Sequence, residues 1–514
     1  MSINLQSLTL PVEKKQFLKI LAVTFVSALL AYNLLIIYGF TNPDGIMEGL
    51  TYYNNAVVAS TMSGRWFVRY LSLLFGNIVN PFLEVSYFTL CATLSAILIG
   101  KMMQFKREFS YYLTAIILLI NASTIPQATF LYMLKAYATC MLLCCIYAYY
   151  AFQKEVLPNN VAAIALALCF ALYQSYVGMA AALIILRLVS ELLREKKSIK
   201  EAALDGVRAL IVAVCGGIIY LIGMKIDLSI YGLNDSNRIS EFSLQNILTH
   251  FLSSVKGTYV SYKNYFLQDT ILKRRYLYLL LFAIFGVLFL MKAVRNFRES
   301  RKKEAFASVI LLALLPFVSN LILVLIPTNP VSALMNSQNM LFLPLLFAFS
   351  EEFEFQPVKL LTYGLTLVLS WTLILSANAT YRCYQMSYQH INSQMAMILD
   401  DIYHTEGYEK DKTQIVIGGY IEDTYLRETN PLYHYALQLP KNVAFWEDTN
   451  GVTFNRRNYF TEYFGIDAQI VTEELYQYVI LSDWFNEMPV WPAQGSIVYK
   501  DGLIAVKLTE YPHH

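Results

Sequence analysis

Four charged residues between positions 44 and 69 have the types and spacing that chemistry on a phosphate and a hydroxyl requires. Asp44 and Glu48 are four residues apart, so in a helix both carboxylates lie on one face. Arg65 and Arg69 repeat that spacing further along the chain, with Trp66 between them. Arginine side chains pair with phosphate oxygens, and a carboxylate acts as a general base. The pattern suits a site that binds a lipid phosphate and deprotonates a hydroxyl. Spacing alone fits equally an interfacial loop whose arginines reach lipid headgroups.

Two further polar groups interrupt apolar runs and are of the kind that lines a sugar pocket. Tyr173 and Gln174 form one group, and Asn336 and Gln338 form the other. The hypothesis is that these four residues, with Trp66, bind the sugar or the acceptor. The alternative is ordinary interfacial packing, because tyrosines and other amphipathic side chains are common at membrane boundaries.

Two single charges, Glu84 and Lys135, lie within or beside apolar segments. A charge at that depth is costly and usually faces a cavity or a partner. The sequence leaves two alternatives open for them, a structural ion pair and a functional role.

The composition sets the environment in which these residues must be positioned. Only 15% of the 514 residues are charged and 56% are hydrophobic, whereas soluble domains carry about 25% charged residues. The formal net charge of +2 gives no electrostatic case for a polyanionic partner. These values exclude a disordered chain, a nucleic-acid-binding protein and an ordinary cytosolic enzyme. They predict a polytopic α-helical membrane protein.

Eleven apolar segments are candidates for membrane spans, since a helix needs about 20 apolar residues to cross the hydrocarbon core. They fall near residues 17–40, 81–103, 111–124, 129–152, 160–173, 176–193, 207–224, 276–294, 306–326, 333–349 and 360–379. Lys14, Lys15 and Lys19 precede the first segment and predict a cytoplasmic N-terminus by the positive-inside rule. An odd number of spans then predicts an extracytoplasmic C-terminal tail. The basic run at 273–275 contradicts the rule, because it falls at the outer end of its span.

Three stretches are too polar to span, and all are predicted to lie outside. They are residues 41–76, residues 225–275 and the tail at 381–514, so the predicted domains are a membrane domain at 1–380 and a small α+β domain at 381–514. Apolar residues at helical spacing between 244 and 255 predict a helix, either on the membrane surface or packed on the bundle. In the tail we predict a helix at 388–404 and strands at 414–418, 478–481, 496–499 and 503–508. Asp501-Gly502 predicts the hairpin turn between the last two strands.

These features together resemble the bacterial Gtr-type glucosyltransferases, known from O-antigen serotype conversion and found in many Gram-positive bacteria. The resemblance covers most of the chain and rests on short motifs. These are the acid after the first span (Asp44), Ser-Gly-Arg-Trp at 63–66, the Tyr173-Gln174 pair, the long outer tail, and Glu-Met-Pro-Val-Trp-Pro at 487–492 before a closing hairpin. Family members often carry two adjacent acids in the first loop. Here Pro43 and Gly45 flank Asp44, so the base stays open between Asp44 and Glu48.

The resemblance implies a GT-C-type fold with about 11 transmembrane helices in the bacterial plasma membrane. It implies transfer of glucose or a related hexose from a polyprenyl-phosphate donor to a cell-surface polysaccharide or teichoic-acid-like acceptor. Asp44 or Glu48 would be the catalytic base, and Arg65 and Arg69 would contact the donor phosphate. The expected partners are the bilayer, the lipid-linked sugar and the glycan acceptor. No metal-binding residues are predicted, and metal dependence stays open, because carboxylates of the first loop are also ligands for Mg²⁺ or Mn²⁺. The alternatives are a flippase for lipid-linked glycans and a non-catalytic cell-envelope assembly protein.

Overall fold

The computed structural model describes residues 13–42, 45, 62–233, 244–327, 333–410, 412–419, 421, 428–437, 459–461, 463–465 and 471–510. The chain divides into two compact units. The first comprises Met1–Asn33 and Asn55–Ala377, and the second comprises Leu34–Asn54 and Asn378–His514.

The first unit is helical. Its helices are α1 Lys14–Tyr38, α2 Val68–Leu74, α3 Pro81–Met102, α4 Glu108–Leu119, α5 Thr124–Gln127, α6 Leu131–Tyr150, α7 Val156–Leu172, α8 Val177–Leu193, α9 Ile199–Tyr231, α10 Leu244–Leu267, α11 Arg274–Arg298, α12 Lys302–Ser319, α13 Ile322–Leu325, α14 Phe342–Glu352 and α15 Gln356–Tyr403. The ends of α1 and α15 belong to the second unit. Short 3₁₀ turns occupy Gln174–Tyr176, Ile271–Lys273, Ala333–Met335 and Ser337–Leu341.

Each of the eleven predicted apolar segments overlaps one of these helices. Within the described ranges, seven helical stretches are long and apolar enough to cross a membrane: those containing α1, α3, α6, α8, α9, α11 and α15. Helices α4 and α7 are apolar but shorter. The chain is therefore a mostly helical protein with several candidate membrane spans, and the number eleven stays a prediction.

Local capping explains why α9 is longer than its predicted apolar core at 207–224. The Ser198 side chain accepts a hydrogen bond from the Glu201 amide, and the Ser198 amide donates one to the Glu201 carboxylate. Such a capping box fixes where a helix begins. Gly232 ends the helix in the left-handed conformation at φ 60°, which glycine adopts at little steric cost. The helix therefore continues to Tyr231, seven residues beyond the predicted segment.

Helix α10 confirms the helix predicted between 244 and 255 and shows which face it packs. Ser254 and Thr258 are buried, and the Thr258 carbonyl accepts a hydrogen bond from Asn320, which follows α12. Leu248 and Leu252 are exposed. The helix therefore packs on α12 and α13 through small polar side chains and presents its apolar side outward.

Several ion pairs hold buried charges inside the first unit, and two of them involve charges that the sequence singles out. Lys135 Nζ lies 2.5 Å from Glu84 Oε1, and the Lys135 amide donates to Glu84 Oε2 at 3.0 Å. The ion pair considered for these two residues is confirmed. Arg274 is fully buried and makes a two-pronged pair with Asp269 at 2.7 and 2.9 Å. Asp269 balances the charge of Arg274, so Arg274 is not an unpaired loop cation. This accounts for part of the basic run at 273–275 that contradicts the positive-inside rule.

The second unit contains a three-stranded sheet in the order β1-β3-β2, formed by β1 Gln414–Gly418, β2 Ile497–Lys500 and β3 Leu503–Lys507. Strand β1 runs parallel to β3, with Gln414 opposite Leu503, and β2 runs antiparallel to β3. Asp501 and Gly502 form the two-residue turn with φ of 51° and 82°. The predicted strands at 414–418, 496–499 and 503–508 and the Asp-Gly hairpin are confirmed, with small shifts of the ends.

The strand predicted at 478–481 is wrong. That stretch belongs to helix α16 Glu473–Ile480, which is followed by α17 Asp483–Glu487. The Thr472 hydroxyl accepts a hydrogen bond from the Leu475 amide and caps the helix. Val479 and Ile480 then fall on the helical face that packs with Phe485 against the sheet. Capping upstream therefore outweighs the β-propensity of the Tyr-Val-Ile-Leu run.

Candidate functional site

Two predicted motifs that are far apart in sequence meet in the first unit. The turn at 63–67 precedes α2, and its Phe67 amide donates to the Ala171 carbonyl near the end of α7 at 3.0 Å. The Arg65 guanidinium lies over the Tyr173 ring, 4.8 Å from its centroid. Gln174 Nε2 donates to the Ser63 carbonyl at 3.0 Å. The structure therefore brings together Arg65, Trp66, Tyr173 and Gln174.

The junction between α7 and α8 presents Tyr173 and Gln174 to this turn. Tyr173 is extended (φ −160°, ψ 106°) and ends α7, and residues 174–176 form a 3₁₀ turn before α8 begins. This break in the helical path turns Gln174 toward Ser63 and toward Tyr220, whose hydroxyl lies 3.1 Å from Gln174 Nε2. The Gln174 amide nitrogen therefore connects the 63–67 turn, through Ser63, to α9, through Tyr220.

One face of α9 contacts this arrangement at Gln174 and at Trp66. Tyr220, Gly223, Asp227 and Tyr231 are three or four residues apart and therefore lie on one face. Tyr220 contacts Gln174, and a Cβ added at Gly223 would lie 2.5 Å from Cζ2 of Trp66. We call this set of four residues the α9 face. This face was not identified from the sequence, because two of its residues lie beyond residue 224, where the predicted apolar segment ends. The helical spacing of the four residues is the signal that a longer predicted helix would have revealed.

Trp66 packs against the α9 face at Gly223, where the missing side chain leaves room for the indole ring. Its Nε1 has no hydrogen-bond partner among the described residues. A partly buried indole with an unused donor presents an apolar surface and one hydrogen-bond donor side by side. That combination suits the ring of a sugar and one of its hydroxyls.

Arg69 is more deeply enclosed than Arg65. Its guanidinium pairs with the Asp227 carboxylate, and the exposed fractions of the two side chains are 7% and 4%. Arg69 also donates to the Tyr70 hydroxyl at 3.0 Å and lies 4.3 Å from the centroid of the Tyr231 ring. Arg65 is partly exposed. The assignment of Arg69 to the donor phosphate stays a prediction, and its charge already has a buried counter-ion.

Gln338 lies within the 3₁₀ turn at Ser337–Leu341 that leads into α14, and Asn336 directly precedes that turn. Gln338 Nε2 donates to the carbonyls of Ser319 and Met335 at 2.5 and 2.6 Å. A Cβ added at Gly178 would lie 3.2 Å from Gln338 Nε2, so Gln338 adjoins the first turn of α8, close in sequence to Gln174. Asn336 is buried, and its carbonyl accepts from the Asn339 amide at 3.0 Å. Sugar or acceptor binding by Asn336 and Gln338 stays a prediction.

The two predicted catalytic acids, Asp44 and Glu48, lie outside the described residues. Within the part of the chain that the structure describes, no three residues of His, Cys, Asp or Glu form a group that could hold a metal ion. What the described site offers is a partly exposed arginine, a seated tryptophan and a tyrosine–glutamine pair on a rigid helical support. It can bind an anion beside a polar ring.

Residues 47–349 match the family model described as Glucosyl transferase GtrII. The matched region covers more than half of the chain and contains Arg65, Trp66, Tyr173, Gln174 and the whole of the α9 face. No curated protein and no solved structure matches the chain.

Proposed function

The chain belongs to the GtrII glucosyl transferase family, and we propose which transfer it performs. Glucose or a related hexose moves from a polyprenyl-phosphate donor to a cell-surface polysaccharide or teichoic-acid-like polymer. The reaction takes place at the outer face of the bacterial plasma membrane, with the N-terminus in the cytoplasm. The observation that carries the proposal is the convergence of Arg65 and Trp66 with Tyr173 and Gln174 inside the region matched to the family.

The anionic donor is assigned to Arg65. Its guanidinium is partly exposed and supported from one side by the Tyr173 ring, a position from which it contacts a phosphate by charge-assisted hydrogen bonds. As the bond between the sugar and the phosphate breaks, negative charge grows on the leaving polyprenyl phosphate, and a fixed cation there lowers the barrier.

The acceptor is activated by a carboxylate. Asp44 is the base we favour and Glu48 is the alternative; the one that is not the base positions the acceptor. The base removes the proton from an acceptor hydroxyl, the oxygen bonds to the anomeric carbon, and polyprenyl phosphate leaves with the electron pair of the broken bond. Trp66, Tyr173, Gln174, Asn336 and Gln338 are assigned to the sugar or the acceptor.

The donor is lipid-linked in this proposal because nucleotide sugars are absent outside the cell. A polyprenyl chain also binds through apolar contact, worth about 0.8 kcal/mol for each buried CH₂ group. The exposed apolar side chains of the spanning helices supply such surface. Arg65 and the carboxylates carry the chemistry, and we propose that no resident metal is needed.

The test is a transfer assay with purified protein in lipid vesicles, polyprenyl-phosphate glucose and stripped cell-wall polymer. Wild type is compared with Asp44→Asn, Glu48→Gln and Arg65→Met. The control is Glu108→Gln, which removes an exposed carboxylate at the start of α4. Loss of transfer only in Asp44→Asn identifies Asp44 as the base, and loss only in Glu48→Gln identifies Glu48. Wild-type protein that binds lipid-linked glycan but releases no sugar would refute the proposal and favour the flippase.

A further inference from the structure

The two arginines of the Ser-Gly-Arg-Trp region differ in what surrounds them. Arg69 is enclosed by Tyr70, Asp227 and Tyr231, and its side chain is 7% exposed. Arg65 lies one turn earlier in sequence, is partly exposed and rests on Tyr173. A cation with a buried carboxylate partner is already neutralised, so a phosphate gains little by approaching it.

The Asp227 pair links two elements that the site needs in fixed positions. Arg69 is the second residue of α2, and Asp227 lies near the end of α9. The same face of α9 seats Trp66 at Gly223 and holds Gln174 through Tyr220. The pair therefore fixes the start of α2, and with it the turn that carries Arg65 and Trp66.

We infer that the two arginines have different roles, and the inference rests on the proposed function. Arg65 contacts the donor phosphate. Arg69 and Asp227 are positioning residues: their buried pair ties the 63–67 turn to the α9 face, and the charge of Arg69 acts on Asp227 and not on the donor. Asp227, Gly223 and Tyr220 are thereby parts of the site that the sequence alone did not reveal.

The experiment separates positioning from direct phosphate contact by removing the charges singly and together. The variants are Arg69→Met, Asp227→Leu and the double variant Arg69→Met/Asp227→Leu, with Arg65→Met as the matched arginine control. Each is measured for melting temperature in detergent and for kcat and KM with polyprenyl-phosphate glucose. Removing one partner leaves a buried charge uncompensated, whereas an apolar pair in place of a buried ion pair is often tolerated.

The expected result is recovery in the double variant. Each of Arg69→Met and Asp227→Leu lowers the melting temperature and lowers kcat/KM by roughly twofold to 150-fold, the range of coupling between contacting residues. The double variant regains most of both losses, including the donor KM. Arg65→Met loses about a hundredfold in kcat/KM, as removal of one electrostatic donor does elsewhere. Its melting temperature falls less than that of either Arg69→Met or Asp227→Leu, because Arg65 is partly exposed whereas the Arg69–Asp227 pair is buried.

Two outcomes would overturn the inference. If the double variant recovers its melting temperature but keeps the raised donor KM of Arg69→Met, Arg69 contacts the phosphate itself. If the two single variants melt at the wild-type temperature, the pair does not fix the turn. A wild-type protein with no transfer activity refutes the proposed function instead, and the melting temperatures still test the pair.

Discussion

Replacement of Gly223 by alanine tests whether the α9 face seats Trp66. The added Cβ would lie 2.5 Å from Cζ2, 3.0 Å from Cε2 and 3.2 Å from Cη2 of the indole ring, where ordinary contact begins at 3.4 Å. The ring must therefore retreat by about 0.9 Å, the difference between 3.4 and 2.5 Å. Trp66 directly follows Arg65, so the displacement moves the turn that carries the proposed phosphate contact.

The size of the effect follows from that displacement. A misplacement of about 1 Å at a reacting group costs on the order of a hundredfold in rate, so we expect Gly223→Ala to lower kcat/KM by up to that factor. Overpacking of this kind costs about 1–3 kcal/mol of stability. The gain in helix propensity on replacing Gly by Ala, about 1 kcal/mol, offsets part of that cost. The protein should therefore remain folded while its activity falls.

Gly217 provides the matched control. It lies on the same helix, and a Cβ added there meets no atom within 4 Å. Gly217→Ala changes helix propensity in the same way and leaves the site untouched. We expect wild-type kcat/KM from Gly217→Ala, with both variants measured in the same vesicle preparation against polyprenyl-phosphate glucose.

A second variant identifies the clash as the cause. Trp66→Phe shortens the aromatic side chain, so Gly223→Ala in that background should cost little beyond Trp66→Phe alone, because the two changes share one contact. If Gly223→Ala transfers sugar as fast as Gly217→Ala, then either the indole does not rest on Gly223 or its position does not matter to the reaction. That outcome would refute the idea that the α9 face positions Trp66 for transfer.

Two further predictions concern ion pairs away from the site. Glu84→Gln should lower the free energy of unfolding by about 3–5 kcal/mol, because it leaves the buried Lys135 uncompensated. The double variant Glu84→Gln/Lys135→Met should regain part of the loss in melting temperature. A single variant that melts at the wild-type temperature would contradict the stabilising role of the pair. Hydrogen bonds from Lys196, and to a smaller extent from Arg295, lower the pKa of Glu299 from 4.5 to about 2. The interactions of ionised Glu299 with these two cations therefore stabilise the fold above pH 4.5, and this stabilisation is lost as the pH falls toward 2. The difference in melting temperature between wild type and Glu299→Gln should therefore shrink over that interval, and a difference that grows on acidification would contradict the pairing.

Features that follow from local chemistry were predictable from the sequence. A carboxylate in an apolar segment needs a counter-ion, and Glu84 pairs with Lys135, the charge considered for it. Asp501 and Gly502 tolerate positive φ, and the hairpin forms there. The apolar segments likewise coincide with helices. The hairpin and the helices are decided by a few neighbouring residues. The Glu84–Lys135 pair joins residues 51 positions apart, and it was predictable because a buried charge needs an opposite charge.

Features that depend on non-local contacts were not predictable. The residues Arg65 and Tyr173 were each recognised as site candidates, but their contact depends on how α2 meets the end of α7. Asp227 and Tyr231 lie beyond residue 224, where hydropathy ended the predicted span, so their place on the helix depended on the Ser198 cap and the Gly232 stop. Hydropathy indicates where a helix is apolar, whereas capping decides where it ends.

The sheet of the second unit imposes an order on how the protein is made. Each residue of β1 pairs with a residue of β3 that is 89 positions later, as Gln414 does with Leu503. At a synthesis rate of about 5–20 residues per second, β1 waits roughly 5–20 seconds after translation before its neighbour exists. During that interval an apolar strand with an unpaired edge is open to wrong partners. A pause in synthesis before residue 503 would prolong that exposure, and a chain that stops there would leave β1 without its parallel neighbour.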